Sequence, residues 1–157
     1  MKIQNLALIV SCAALTAVAA CSTTGTSPSA PTEAADMQGV ATLDVVVTAE
    51  IAEGEVRLSL FRGAEAYDGG PMTGGAILDV SSGTATASFQ GLQPGRYAIR
   101  AFHDLNGNGT MDTNALGIPS EPYAFSNNAR GNFGPAKFEA AAFTVTSGAN
   151  THRMNIR

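Results

Sequence analysis

The chain has 157 residues and a formal net charge of −4; 14% of the residues are charged, 6% are aromatic, 17 are Gly and none is Trp. That is length for little more than one domain, and the composition suits a small, turn-rich β protein better than a helical bundle, which needs more Leu, Glu and Lys. An acidic chain with no basic cluster argues against nucleic acid as a partner, because phosphate binding gathers Lys and Arg on one face.

Residues 1–20 read as a secretory signal peptide: Lys2, an apolar run from Leu6 to Ala20, then small residues. Fifteen such residues fall short of the ~20 that span a bilayer. Val18-Ala19-Ala20-Cys21 resembles the bacterial lipobox, which implies acylation of Cys21 and attachment to a membrane; an ordinary Ala-x-Ala cleavage site is the competing reading. Ser22 after the cysteine, by resemblance to lipoproteins of Gram-negative bacteria, implies the outer membrane, so the expected location is the cell envelope, facing the periplasm. Cys12 lies in the apolar run, so no disulfide can staple the rest of the chain. Residues 21–39 are rich in Ser, Thr, Pro, Gly and Ala and are expected to be a flexible linker. A β-sandwich domain is expected over residues 40–157.

From Ala41 the pattern turns to period two. In residues 42–50, Leu43, Val45, Val47 and Ala49 share a face, with Val46 the apolar exception opposite. In residues 55–62, Val56, Leu58 and Leu60 alternate with Glu55, Arg57 and Ser59. Ala52-Glu53-Gly54 between them suits a hairpin. Residues 76–81 and 84–90 flank Ser82-Gly83 as a second expected hairpin, with Ala85, Ala87 and Phe89 inward. The turn at residues 91–95 launches residues 96–104, where Tyr97, Ile99 and Ala101 face away from Arg96 and Arg100. Residues 137–146 carry Phe143 and Val145, although the alanines of residues 138–143 tolerate a helical turn. In residues 151–157, His152, Met154 and Ile156 alternate with Arg153, Asn155 and Arg157. About seven short strands with one apolar face predict an all-β fold, an antiparallel sandwich of two sheets.

Residues 106–135 have no good strand pattern, and loops beyond ~12–15 residues are usually functional or disordered. Ile118, Pro119, Tyr123, Phe125 and Phe133 argue for order, and so for local fasteners. Asp104, Asn106, Asn108, Gly109, Thr110 and Asp112 match positions 1, 3, 5, 6, 7 and 9 of a calcium loop. The twelfth position is Ala115 and a strand precedes the loop, so this is not an EF-hand; Glu121 is the nearest later carboxylate to complete the shell. So few charges predict weak calcium binding, roughly 10⁻⁴–10⁻³ M. The competing reading is that the Asn-Gly pairs form turns and the two Asp cap backbone amides.

His103, Asp104, Glu121 and Ser126 lie close in sequence, but there is no G-x-S-x-G elbow and no H-E-x-x-H pair. His103 reads as a packed residue tying down the loop, and no catalytic residue is expected. Arg130 reads as a solvated side chain.

Roughly Leu43 to Ile156, and most strongly residues 91–145, GLQPGRYAIRAFHDLNGNGTMDTNALGIPSEPYAFSNNARGNFGPAKFEAAAFTV, resemble the bacterial secreted family known as domain of unknown function 2141. The family has no established activity, so the resemblance implies fold and location. The Pro-Gly-x-Tyr strand entering an Asp/Asn loop is similar to prealbumin-like sandwich modules. Among those, the B repeats of Gram-positive surface adhesins hold calcium, which implies Asp104, Asn106, Asn108 and Asp112 as ligands here. The expected function is a non-enzymatic, lipid-anchored envelope protein with a calcium-stabilised loop, meeting another envelope protein on a surface of Tyr123, Phe125, Asn127 and Arg130. The alternative is a carbohydrate- or small-molecule-binding module with Tyr123, Phe125 and Phe133 as a stacking wall. An envelope hydrolase is the third reading.

Overall fold

A computed structural model describes residues 39–157. The expected signal peptide (residues 1–20), the expected lipidation site Cys21 and the expected linker up to residue 38 lie outside the described residues. The elements are β1 (Ala41–Ala49), β2 (Glu55–Arg62), α1 (Gly63–Tyr67), β3 (Gly74–Asp79), β4 (Thr84–Leu92), β5 (Gly95–Asp104), β6 (Tyr123–Phe125), a 3-10 turn (Ser126–Asn128), α2 (Phe138–Ala141), β7 (Phe143–Val145) and β8 (Gly148–Ile156).

The strands form a sandwich of two sheets, as the alternation predicts. The smaller has the order β4-β1-β8; the larger runs β3-β2-β5-β6, with β7 also on β5. Leu43, Val45 and Val47 of the first sheet and Val56, Leu58, Leu60, Tyr97 and Ile99 of the second are all buried in the core between them, joined by Met154 and Ile156 of β8.

Neither expected hairpin forms. β1 and β2 belong to different sheets, as do β3 and β4. Period-two alternation says which face of a strand is buried, and that demand is met equally by a neighbour in the same sheet or by one across the core. The connection at residues 80–83 tucks Val80 into the core, and Gly83 donates its amide to the Val80 carbonyl at 2.7 Å. A second difference is that β1 and β8 pair in parallel, with Val45 opposite His152, so the smaller sheet is mixed.

The free edge of β5 is shared by two short strands. β7 pairs with its start (Gly95 to Tyr97) and β6 with its later part (Arg100 to Phe102). Between them the chain leaves the sheet, and Ser126 fills the gap: its Oγ accepts the Ile99 amide at 2.8 Å and donates to the Ala141 carbonyl at 2.6 Å. The excursion lays α2 on the outer face of the larger sheet. There Phe138 and Ala141 pack with Tyr67, Ala98, Phe125 and Ala136 in a second apolar cluster. Tyr67 donates its hydroxyl to the Ala136 carbonyl at 2.9 Å. The ambiguous 138–143 stretch thus divides into a helical turn and a strand.

Candidate functional site

Asp104 ends β5, fully buried. Its Oδ1 accepts the amides of Gly107 (2.8 Å) and Asn108 (3.1 Å), and its Oδ2 accepts the Gly109 amide and the Arg57 Nε–H, both at 2.8 Å. A carboxylate offers about four lone-pair sites, and donors of the protein take all four. Gly107 and Gly109 supply the left-handed backbone (φ 74° and 82°) that curls these amides round the carboxylate. Burial pushes the Asp104 carboxyl up, but the Arg57 guanidinium and the amides of Gly109 and Gly107 outweigh it and hold it below its ordinary range.

The exposed part of the loop is built on Asp112. Asn106 Nδ2 donates to its Oδ2 at 2.6 Å and Asn108 Nδ2 to its Oδ1 at 3.0 Å. Thr110 gives both its amide (2.8 Å) and its hydroxyl (2.9 Å) to Asn108 Oδ1. Glu121, also buried, spans the loop: Oε1 accepts the Leu105 amide and Oε2 the Asp112 amide, each at 3.0 Å. The six residues read from the sequence as metal ligands therefore do come together, around backbone amides and one guanidinium. A cation beside Asp112 would need both Asn amides turned oxygen-inward, because they present N–H groups to it. Among the described residues, no three His, Cys, Asp or Glu side chains form a metal-holding group.

His103 is buried and its Nε2 meets the Glu53 carbonyl, so it ties β5 to the 50–54 connection, while its backbone amide holds the loop end at the Pro122 carbonyl (2.8 Å). Ser126 is engaged with two backbone groups, as above. Asn127, at φ 58°, donates its side-chain amide to the Ala142 carbonyl at 2.8 Å, so it clamps β6 to β7. Tyr123 is half exposed and meets the buried Phe125 edge to face at 5.8 Å. Arg130 is exposed.

On the outer face of the larger sheet, the 105–122 loop covers one end and α1 with α2 the other. Between them lies a cleft of about 830 Å³. Its lining includes Arg100 and Phe102, Tyr123 and Phe125, Met111, Ile118 and Pro119 from the loop, and Phe133 from the turn before α2. Phe133 is fully exposed and held at φ 58°, a backbone region that bulky side chains rarely occupy. A Cβ on Gly131 would overlap the Gly134 carbonyl oxygen, so this tight turn needs that glycine. A smaller pocket of about 350 Å³ adjoins it, lined by Tyr123, Asn128, Arg130, Asn155 and Arg157 among others.

A family model described as "Uncharacterized protein conserved in bacteria (DUF2141)" matches residues 45–153. The chain belongs to the DUF2141 family. The match begins in β1 and ends in β8, whose residues Val46 and Arg153 face each other across the ladder, so the DUF2141 unit is the closed sandwich with the loop and the cleft inside it. No curated protein and no solved structure gives a significant match to this DUF2141 chain.

Sequence reasoning passed over two residues of this DUF2141 site, Arg57 and Arg100. Both sit at outward positions of their strands. The partner of Arg57 follows from the β2–β5 register, which sets Glu55 opposite Asp104, whereas Arg100 meets Tyr67 of α1. Only that register brings Arg57 within diagonal reach of Asp104.

Proposed function

We propose that this protein is a non-enzymatic binding module of the bacterial envelope, lipid-anchored through Cys21 to the outer membrane and facing the periplasm. Its binding surface is the cleft between the long loop and α2. The observation that carries this reading is the concentration of exposed apolar side chains at one cleft: Ile118 is 55% exposed, Tyr123 46% and Phe133 fully, beside a loop fastened by Asp104, Glu121 and Asn114. Large exposed apolar side chains gathered in one place mark an interaction site, and rigid walls lower the entropy lost on binding. A photo-reactive residue at position 133, activated in intact cells, should yield cross-linked products that competing Ile118→Asp and Tyr123→Ala variants lose. Uniform absence of products from positions 133, 118 and 123 would defeat the reading. Cys21→Ala should release the protein from the membrane fraction; unchanged partition would refute lipidation.

Calcium is proposed as a modulator of the loop, on the model of the prealbumin-like adhesin repeats. Asp112, with the side-chain oxygens of Asn106 and Asn108 turned inward and the Thr110 carbonyl, would form its exposed half; Asp104 and Glu121 would complete the shell on yielding some of their present donors. A ligand at 100 times its dissociation constant stabilises by ~2.7 kcal/mol. Thermal unfolding at tens of millimolar calcium should therefore exceed that in chelator, and an Asp112→Ala variant should lose the difference. Equal melting with and without calcium would remove the metal from the proposal.

A second reading is favoured by the smaller pocket. Tyr123 beside Asn128, Arg130 and Asn155 offers an aromatic face rimmed with hydrogen-bonding groups, which suits a sugar ring.

A further inference from the structure

Arg100 carries a permanent positive charge and is half-buried on the floor of the larger cleft. Its guanidinium lies 4.1 Å from the Tyr67 ring centroid and 5.6 Å from that of Phe61, and Nη2 donates to the Tyr67 carbonyl at 2.6 Å. Among the described residues, the ion pairs involve Arg57, Arg96 and Arg157, and none involves Arg100. Its Nε is the one buried side-chain nitrogen or oxygen among them left without a hydrogen-bond partner.

A half-buried cation without a counter-ion is unfavourable, and a buried donor left unpaired adds to that. Stacking on Tyr67 offsets only part of it. Arg100 is also fixed in place by the Tyr67 carbonyl and two rings, so its charge stays at the cleft floor without moving to meet an anion. The walls above it are Phe102, Ile118, Tyr123 and Phe133, which offer apolar surface. The combination of a held cation at the floor and apolar walls toward solvent matches a particular kind of molecule.

We propose that the cleft binds a small amphipathic carboxylate, whose acid group pairs with Arg100 and whose apolar body lies between Ile118 and Phe133. The volume of about 830 Å³ falls within the ~300–1,000 Å³ usual for small-molecule sites. The strained, solvent-exposed ring of Phe133 becomes the outer wall that the apolar body covers. This inference rests on the cleft being the binding surface and names what enters it.

The test is a titration of the isotope-labelled full chain with sodium decanoate below its micelle-forming concentration, with 1-decanol, and with acetate, followed by amide NMR. Decanoate is expected to saturate shifts at Phe102, Ile118, Tyr123 and Phe133, at least tenfold more tightly than decanol; acetate is expected to bind far more weakly. Arg100→Gln should weaken decanoate at least tenfold and leave decanol unchanged. Should Arg100→Gln not fold, Ile118→Asp, on the exposed loop, should weaken both compounds through the lost wall but decanoate at least tenfold more than decanol, through charge repulsion. Equal binding of decanoate and decanol, or decanoate indifferent to both substitutions, would overturn the acid specificity while leaving a binding cleft. Saturation by neither compound would overturn the small-molecule ligand altogether, leaving the module reading to the cross-linking result.

Discussion

Asp104 and Asp112 stand eight positions apart in one loop, yet their removal should have unequal effects. Asp104 is buried and accepts three amides and a guanidinium; Asp112 accepts two side-chain amides at the surface. Asp104→Ala leaves Arg57 and three amides unpaired, so it should lower the melting temperature far more than Asp112→Ala in metal-free buffer. Comparable losses would mean that the amides find other acceptors. The depressed Asp104 carboxyl contributes stability that is present above its ordinary pKa of 3.8 and is lost as pH falls below it. His152 acts in a higher window. Its ring stacks on Phe143 at 4.0 Å, its Nε2 accepts the Asn127 amide at 3.4 Å, and burial lowers its pKa from 6.5. The folded state therefore holds the neutral ring, whereas the unfolded chain takes up a proton near pH 6.5. Stability from this residue is present above that pH and declines as pH falls through it. Melting temperatures measured from pH 7.5 to 5.5 should decrease, and His152→Gln should flatten the decline. An unchanged slope would assign it to other groups.

The shared edge of β5 is the element on which the site depends. β6 and β7 can split one edge because Ser126 satisfies the Ile99 amide where neither strand reaches it. Ser126→Ala would leave the Ile99 N–H and the Ala141 carbonyl buried and unpaired, a loss of about 2–4 kcal/mol. Accelerated hydrogen exchange at Ile99 would confirm the local origin, whereas a loss below ~0.5 kcal/mol would show that water takes over. Strand positions were legible from the sequence because Val45, Leu58 and Ile99 fall on a strict period of two. Strand partners were not, since period two is blind to whether Val56 pairs beside Val45 or faces it across the core. The three-residue β6 was hidden because Tyr123-Ala124-Phe125 is too short to show a period. In the loop, the spacing of Asp104, Asn106, Asn108 and Asp112 marked side chains that hold the loop, Asp104 on backbone amides and Asp112 on the Asn side chains. It could not show that Arg57, some forty-seven residues earlier, supplies a positive charge to Asp104.

At the scale of the whole molecule, most contacts join residues far apart in the chain, so the fold relies on non-local closure. Such topologies refold in milliseconds to seconds, not microseconds, and stopped-flow refolding of this protein should show its main phase in that range. The ion pair of the buried Asp104 with the partly exposed Arg57 across β2 and β5 also means that the loop reaches its final fastening only after those strands have met.

The parallel pairing of β1 with β8 has a consequence for the order of events during biosynthesis. β1 gains its first neighbour when β4 is made, but its other edge waits for residues 148–156. Until the stretch after Leu92 and then β8 have joined the fold, that edge stays unprotected. Throughout that interval the nascent sheet can recruit a foreign strand, and the last strand serves as the seal that ends the exposure.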